Sequence, residues 1–421
     1  MNVKVFKFGG ASVKDAPAVA NVAHIIQMHK SSQLLVVVSA MGKTTNALER
    51  LARAYYDQQP DQKNAIYAEI KLFHDEIISG LLKTKDSHAY DDIENLFIEL
   101  ECLLESEPDE AFDYYYDQIV SYGEIFSTRI VSTYMNENGI NNRWMDARTF
   151  ISTDDTFREG RVNWEHTSLL IEKKLKPIVQ KQVVVTQGFI GQNNDKQTTT
   201  LGREGSDYSA AIFAYGLKAE SVTIWKDVAG VMNADPKKFK DALKLDELTY
   251  THAIEMAYYG ATVIHPKTIQ PLQSRHIPLF VKSFVDPGAQ GTIVSDGVRE
   301  KRIPVIIVKS NQVLLSISSK DFSFIVEDNL SRIFSIFAEH KVRVNLMQNS
   351  AISFSICIDD AGDKIEMLKS ELAIHYQLKS NEPVELITIN NYDEQTLAQI
   401  KLNREVLLEQ KTRATAQMIL K

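Results

Sequence analysis

Four short stretches carry residue types that could handle an anionic, phosphorylated ligand. Lys7-Phe-Gly-Gly10 closes a short alternating apolar segment. At the carboxyl end of a parallel strand, two glycines let backbone N–H groups approach a phosphate, and a following helix adds its dipole. A lysine beside them can neutralise charge on a transferring phosphoryl group, although a plain tight turn with a solvated lysine uses the same residues. Gly42-Lys43-Thr44 invites a P-loop reading that fails, because position 37 is valine where that loop needs glycine. The hydroxyls around it suit either a ligand or a helix cap. Thr198-Thr-Thr-Leu-Gly-Arg-Glu-Gly-Ser-Asp207 is the most specific stretch. Ser206-Asp207 sits where a helix would begin and could cap it, whereas Arg203 offers a carboxylate a bidentate partner. Trp225 to Lys237 reads either as a second phosphate-facing loop or as a surface hairpin.

The elements that must position these groups follow from the apolar pattern. Val3 to Phe8, a helix to about Lys30 and the uninterrupted run Leu34-Leu-Val-Val-Val-Ser39 spell strand, helix, strand. A run with no polar alternation is what a strand buried on both faces requires, and this order implies a parallel pair with a right-handed crossover. A glycine-poor helical block covers about 45–140. Val183-Val-Val-Thr186, Val222-Thr-Ile-Trp225 and Leu279-Phe-Val-Lys282 are further short strands. Alternating β and α elements argue for a mostly parallel sheet sandwiched by helices. Past the turn-rich Asp286-Pro-Gly-Ala-Gln-Gly-Thr292 the order becomes β-α-β-β-α-β, the ferredoxin-like pattern. The expected domains are 1–295, 303–380 and a C-terminal segment 381–421.

The bulk numbers narrow the function. A chain of 421 residues that is 44% hydrophobic and 24% charged buries a sizeable core and exceeds one typical domain. Lys plus Arg number 47 against 55 acidic residues, net −8, a poor balance for electrostatic nucleic-acid binding, so no nucleic-acid partner is expected. Cys102 and Cys357 have no Cys or His neighbour at metal-ligand spacing, so no metal site is expected. No apolar run is long enough to cross a bilayer, and the N-terminus reads as a strand rather than a signal peptide, so a cytoplasmic location without membrane partners is expected.

Seven pieces in order, Lys7 to Val13, Ser39 to Thr45, Ser121-Tyr-Gly-Glu124, Thr186 to Gly191, Leu201 to Ser209, Trp225 to Pro236 and Glu255 to Pro266, resemble the aspartate kinases of the amino-acid kinase family. The last third resembles an ACT domain, the amino-acid-sensing module those kinases carry. The resemblance implies an amino-acid kinase fold plus a ferredoxin-like ACT domain, with 381–421 as a reduced second module. It also implies transfer of the γ-phosphoryl of ATP, with Mg2+ on the nucleotide, to the β-carboxylate of L-aspartate, the entry to lysine, threonine and methionine synthesis. By position, Lys7 would stabilise the transferring phosphoryl and Asp207 would orient it; Arg203 would hold the α-carboxylate and Glu124 the ammonium, supported by Ser39, Thr45 and Ser206. Gly9, Gly10, Lys226, Asp227, Met232, Lys237 and Thr262 would lie along the nucleotide.

Four positions depart from the pattern. Ala11 replaces a threonine, Glu204 the second glycine of Gly-Arg-Gly-Gly-Ser-Asp, Lys226 the threonine of Trp-Thr-Asp, and Thr262 a lysine. Lys226 is therefore expected to supply the phosphate contact missing at Thr262. The resemblance also implies an amino-acid effector near Asn345, Asn349 and Ser350. Asn345 and Ala351 stand where lysine-sensing relatives carry acidic residues, which argues against lysine and leaves threonine or no effector open. A homodimer or larger homo-oligomer is implied. A second reading, a catalytically silent amino-acid sensor on the same fold, rests on Ala11, Glu204 and Thr262.

Overall fold

The computed structural model describes residues 3–30, 32–82, 88–261, 264–298, 302–321 and 323–421. They fall into two units. The first holds most residues up to about 298, and the second holds 232–243, 255–261 and 302–421.

The first unit begins with β1 (Val3–Phe8), α1 (Ala16–Met28) and β2 (Gln33–Val38). Both strands are buried almost throughout and pair in parallel, so the continuous apolar run is explained by cover on both faces. Asp15 starts α1 by accepting the Ala18 N–H at 2.8 Å, with Pro17 in the first turn where its missing N–H costs nothing. The helical block comprises α2 (Thr44–Tyr56), α3 (Pro60–Leu81), α4 (His88–Glu105), α5 (Phe112–Val120) and α6 (Tyr122–Glu137). Its apolar stripes meet in one core containing Leu48, Ile70, Ile77, Phe97 and Phe126, with the last two rings stacked at 4.3 Å.

Next come β3 (Asn142–Trp144), α7 (Trp164–Leu170), a π turn at Ile171–Leu175, α8 (Lys176–Val179), β4 (Val183–Gln187) and the hairpin β5 (Ile190–Gln192) and β6 (Thr198–Thr200). They are followed by α9 (Gly205–Leu217), β7 (Ser221–Lys226), β8 (Glu247–Leu248), α10 (Tyr250–Tyr259), α11 (Pro266–Gln273), β9 (Leu279–Ser283) and β10 (Thr292–Val294). The eight-stranded sheet has the order β3-β4-β2-β1-β7-β9-β10-β8, parallel except for β9 against β10. Chain order reverses beside β1, which lies between β2 and β7. In an open α/β sheet such a switch point leaves a crevice outside the strands' carboxyl ends, which is where ligands bind.

The second unit contains β11 (Val305–Ser319), α12 (Glu327–Glu339), β12 (Val344–Asn349), β13 (Ser353–Asp359), α13 (Asp363–His375), β14 (Tyr376–Asn390), α14 (Glu394–Lys401), β15 (Val406–Lys411) and β16 (Thr415–Leu420). Its antiparallel sheet runs β12-β13-β11-β14-β16-β15. The half built on Gln312–Ser319 has the ferredoxin-like strand order and its own core of Ile317, Ile333, Phe337 and Leu368. The long strands β11 and β14 continue past register shifts between Lys309 and Leu314, where their other ends pair with each other and β14 pairs with β16. Ile387, Leu397 and Met418 form a separate core there.

Candidate active site

The carboxyl ends of β1, β2 and β7, together with the N-terminus of α9 and one face of α6, enclose a cavity of about 840 Å³ in the first unit. Lys7 reaches it from the penultimate position of β1 and is only 8% exposed. Its Nζ lies 2.5 Å from Asp207 Oδ1, and Lys226 Nζ at the end of β7 lies 3.6 Å from Asp207 Oδ2. One buried carboxylate thus stands between two ammonium groups, and they hold it below the usual carboxylate range against the opposing effect of burial. The triad carries a net positive charge, with Lys7 and Asp207 both buried, which suits a phosphate ligand.

The glycines act through their size. A Cβ on Gly10 would stand 2.8 Å from the carbonyl oxygens of Ala40 and Gly42, so the turns after β1 and β2 interlock only without a side chain there. The Gly42 N–H completes the contact by donating to Gly10 O at 3.1 Å. A Cβ on Gly9 would lie 3.4 Å from Lys7 Nζ. Gly188, following β4, lets the first turn of α9 approach, since a Cβ there would come within 2.5 Å of Ser206 Cβ.

α6 presents Glu124 to the same cavity. One carboxylate oxygen accepts the Ala40 N–H at 3.3 Å, and the other is buried with no hydrogen-bond partner among the described residues. Burial pushes its pKa up to about 8, with the Ala40 N–H and the Lys7 charge pulling weakly the other way. A buried carboxylate with spare acceptor capacity is a ready partner for an ammonium group. Arg203, exposed on the loop before α9, lines the same cavity and has no salt-bridge partner among the described residues. A free guanidinium and a buried carboxylate match the two charged groups on an amino acid's α-carbon.

The cavity therefore brings together Lys7, Gly10, Ser39, Thr45, Glu124, Arg203, Ser206, Asp207 and Lys226, with Gly9 beside Lys7. Asp227, Met232 and Lys237 do not line it. Asp227 and Lys237 are exposed, and Met232 and Lys237 fall in the second unit. Thr262 lies outside the described residues. Of the two readings open for Ser206-Asp207, the helix cap does not apply: α9 starts at Gly205 after Glu204, and the Asp207 carboxylate faces the two lysines. Glu204 also lines the cavity.

Sequence reasoning missed Tyr116, Arg158 and Phe189, which also line the cavity. Arg158 adopts a left-handed backbone (φ 67°), its N–H donates to buried Asp117 at 2.9 Å, and its guanidinium lies 4.3 Å from the Tyr116 ring centroid. Only the fold brings these segments together. Phe189 was within reach, since it sits in the Thr186 to Gly191 piece and also has a positive φ.

In the second unit, Asn345 on β12 accepts from Lys309 Nζ at 2.8 Å and donates to Gln312 at 2.8 Å and to Asp359 at 3.0 Å. Its amide is thus engaged within the unit. Asn349 and Ser350 are exposed at the end of β12, with Ser350 in hydrogen-bond contact with Ser353.

Comparison with known proteins follows the same division. The model of the amino acid kinase family matches residues 2–283. The chain belongs to the amino acid kinase family. This amino acid kinase is 33% identical over 361 residues to lysine-sensitive aspartokinase 3 of Escherichia coli, covering 86% of this chain and 79% of the relative. It is 34% identical over 364 residues to the chloroplastic aspartokinase 1 of Arabidopsis thaliana, covering 84% and 63%. The crystal structure of E. coli aspartokinase III with aspartate and ADP superimposes with a TM-score of 0.83 at 29% identity, over 99% of this chain and 96% of that one. Its complex with lysine and aspartate gives 0.84 over 99% and 95%.

Proposed function

We infer that this amino acid kinase is an aspartate kinase, transferring the γ-phosphoryl group of ATP to the β-carboxylate of L-aspartate to give 4-phospho-L-aspartate and ADP. The observation that carries this reading is the set of charges gathered in one cavity: the ammonium groups of Lys7 and Lys226, the guanidinium of Arg203 and the buried carboxyl of Glu124. Arg203 takes the α-carboxylate and Glu124 the ammonium, which leaves the β-carboxylate directed at the nucleotide. One of its oxygens forms a bond to the γ-phosphorus as the bond from that phosphorus to the β–γ bridging oxygen breaks, and ADP departs.

The nucleophile is already an anion, so no general base is needed. What the chain must supply is alignment and positive charge where negative charge is crowded. Lys7, held by Asp207, faces the transferring group, and Lys226 adds a second ammonium. Gly9 and Gly10 let backbone N–H groups come close to the phosphates. Mg2+ bound to the nucleotide would offset phosphate charge.

We read the ferredoxin-like half of the second unit, within 303–380, as an ACT-type regulatory module that binds an amino acid, and 381–421 as part of a reduced second module. L-Lysine and L-threonine are the effectors to titrate, and a homodimer is the assembly to look for.

The test is ADP release from MgATP with L-aspartate, L-asparagine and L-glutamate in parallel. Release is expected with L-aspartate, absent with L-asparagine, which lacks the nucleophilic carboxylate, and strongly reduced with L-glutamate. Binding of an amino acid without any L-aspartate-dependent release would favour the silent sensor and refute the kinase reading.

A further inference from the structure

Asp117 is a buried carboxylate to which the chemistry above gives no role. It sits in α5, is 0% exposed and does not line the cavity. A carboxylate taken out of water needs donors in exchange. Asp117 has three: Oδ2 accepts the Arg158 N–H at 2.9 Å and the Thr200 N–H at 2.8 Å, and Oδ1 accepts the Thr200 hydroxyl at 2.6 Å. These donors belong to two segments far apart in the chain, the loop preceding α7 and the end of β6. Both segments reach the cavity, the first as Arg158-Glu159 and the second as Gly202-Arg203. They also lie directly against each other. The Gly160 N–H donates to Thr200 O at 2.8 Å, so both backbone groups of Thr200 are held. Gly202 has a left-handed backbone (φ 76°), and a Cβ there would stand 3.3 Å from Arg158 O and from Glu159 Cγ. Arg158 is left-handed as well (φ 67°), a conformation that costs an L side chain energy and that the bond from its N–H to Asp117 helps to hold.

We propose that Asp117 is a positioning residue for amino-acid binding: by fastening the backbones of Arg158 and Thr200 to α5, it sets where the guanidinium of Arg203 meets the substrate's α-carboxylate. Arg203 follows Thr200 by three positions, so the anchored residue fixes the point from which the guanidinium reaches out. A two-pronged arginine–carboxylate contact depends on direction as well as distance, and a small displacement of its backbone weakens it. Asp117 acts only through the two loops, since it does not touch the cavity itself. The inference rests on the α-carboxylate role given to Arg203 above.

Steady-state kinetics and calorimetric titration with L-aspartate on Asp117→Ala, Asp117→Asn and Thr200→Val test it, with denaturant melts to show that each variant is folded. Asp117→Ala leaves two backbone N–H groups and a hydroxyl without their acceptor. It is expected to raise KM and Kd for L-aspartate about tenfold while KM for MgATP stays within about twofold. Asp117→Asn keeps an oxygen for the two N–H groups and should stay within about threefold of wild type. Thr200→Val removes only the hydroxyl donor, so it tests the same clamp even if Asp117→Ala fails to fold; a rise of about threefold in KM for L-aspartate is expected. In an Arg203→Ala background, where kcat/KM for L-aspartate is measurable without saturation, either change should add less than about twofold. Equal factors on both substrates, an unchanged Kd for L-aspartate, or an undiminished loss in the Arg203→Ala background would overturn the positioning role. Wild-type protein that binds L-aspartate without releasing ADP would refute the kinase reading alone, because the titrations still read the clamp; wild-type protein that does not bind L-aspartate would overturn both.

Discussion

Replacing Glu124 by glutamine should stabilise the ligand-free protein while removing its grip on L-aspartate. The wild-type carboxyl has its pKa raised from 4.5 to about 8 by burial. At about 1.36 kcal/mol per pKa unit, ionising it inside the fold costs about 5 kcal/mol more than in the unfolded chain. The folded state holds this proton between pH 4.5 and about 8, where the unfolded chain has lost it. Stability from this group therefore falls as pH rises through that window, by up to about 1.4 kcal/mol per pH unit, and levels off above it. Glutamine has no such slope. Urea melts without ligand, from pH 5.5 to 8.5, should show the variant gaining on the wild type with rising pH. Binding runs the other way. The substrate ammonium needs the ionised carboxylate, so wild-type kcat/KM for L-aspartate should climb up to about tenfold per pH unit below pH 8. The variant leaves that ammonium unpaired, a loss of about 2–5 kcal/mol, or roughly 30-fold to several thousand-fold in kcat/KM. Equal pH slopes in the two melts, or an unchanged KM for L-aspartate, would refute the reasoning.

Lys7→Met should lower kcat by about 10³-fold with only a modest loss of stability, because Asp207 keeps Lys226 as a partner. Asp207→Asn leaves two ammonium groups facing each other and should be the more destabilising of the two, by about 3 kcal/mol in denaturant melts. Gly10→Ala places a methyl group against two fixed carbonyl oxygens, so the turns after β1 and β2 must part; kcat/KM for MgATP should fall about 10²-fold by initial rates. His74 is buried in the helical block, and burial lowers its pKa from 6.5 to about 4. A depressed pKa gives stability that is present above pH 6.5 and lost as pH falls toward 4, so acidification from pH 7 to pH 5 should cost the wild type about 2 kcal/mol more than His74→Phe in paired melts.

Much of the fold was legible because each strong local signal matched one burial requirement. Leu34 to Val38 reads as a doubly covered strand and forms β2, next to the centre of the parallel sheet. The spacing of Leu330, Ile333 and Phe337 reads as a helix face, and they lie on α12. A reduced second module over 381–421 was expected from the resemblance, but not the strands that two halves share. β11 and β14 are each 15 residues long and serve two halves, a property of register shifts at Lys309 to Leu314 rather than of composition.

In the site, residue types marked Lys7, Gly10, Arg203 and Asp207 as one of two readings each, and the resemblance to aspartate kinases added Ser39 and Glu124 and implied the roles. The Asp207–Lys7 pairing came from the resemblance rather than from residue type, and the second ammonium on Asp207, that of Lys226, was not read from the sequence. An aspartate near a helix start can be a cap until a lysine from another strand claims it, and Lys7 and Lys226 reach Asp207 together because β7 packs beside β1. The linear order thus determined which chemical groups were available and where the sheet would expose them. Which carboxylate partners which ammonium was decided only by the tertiary structure, because Coulomb energy and desolvation depend on distance in space, and chain separation says nothing about either.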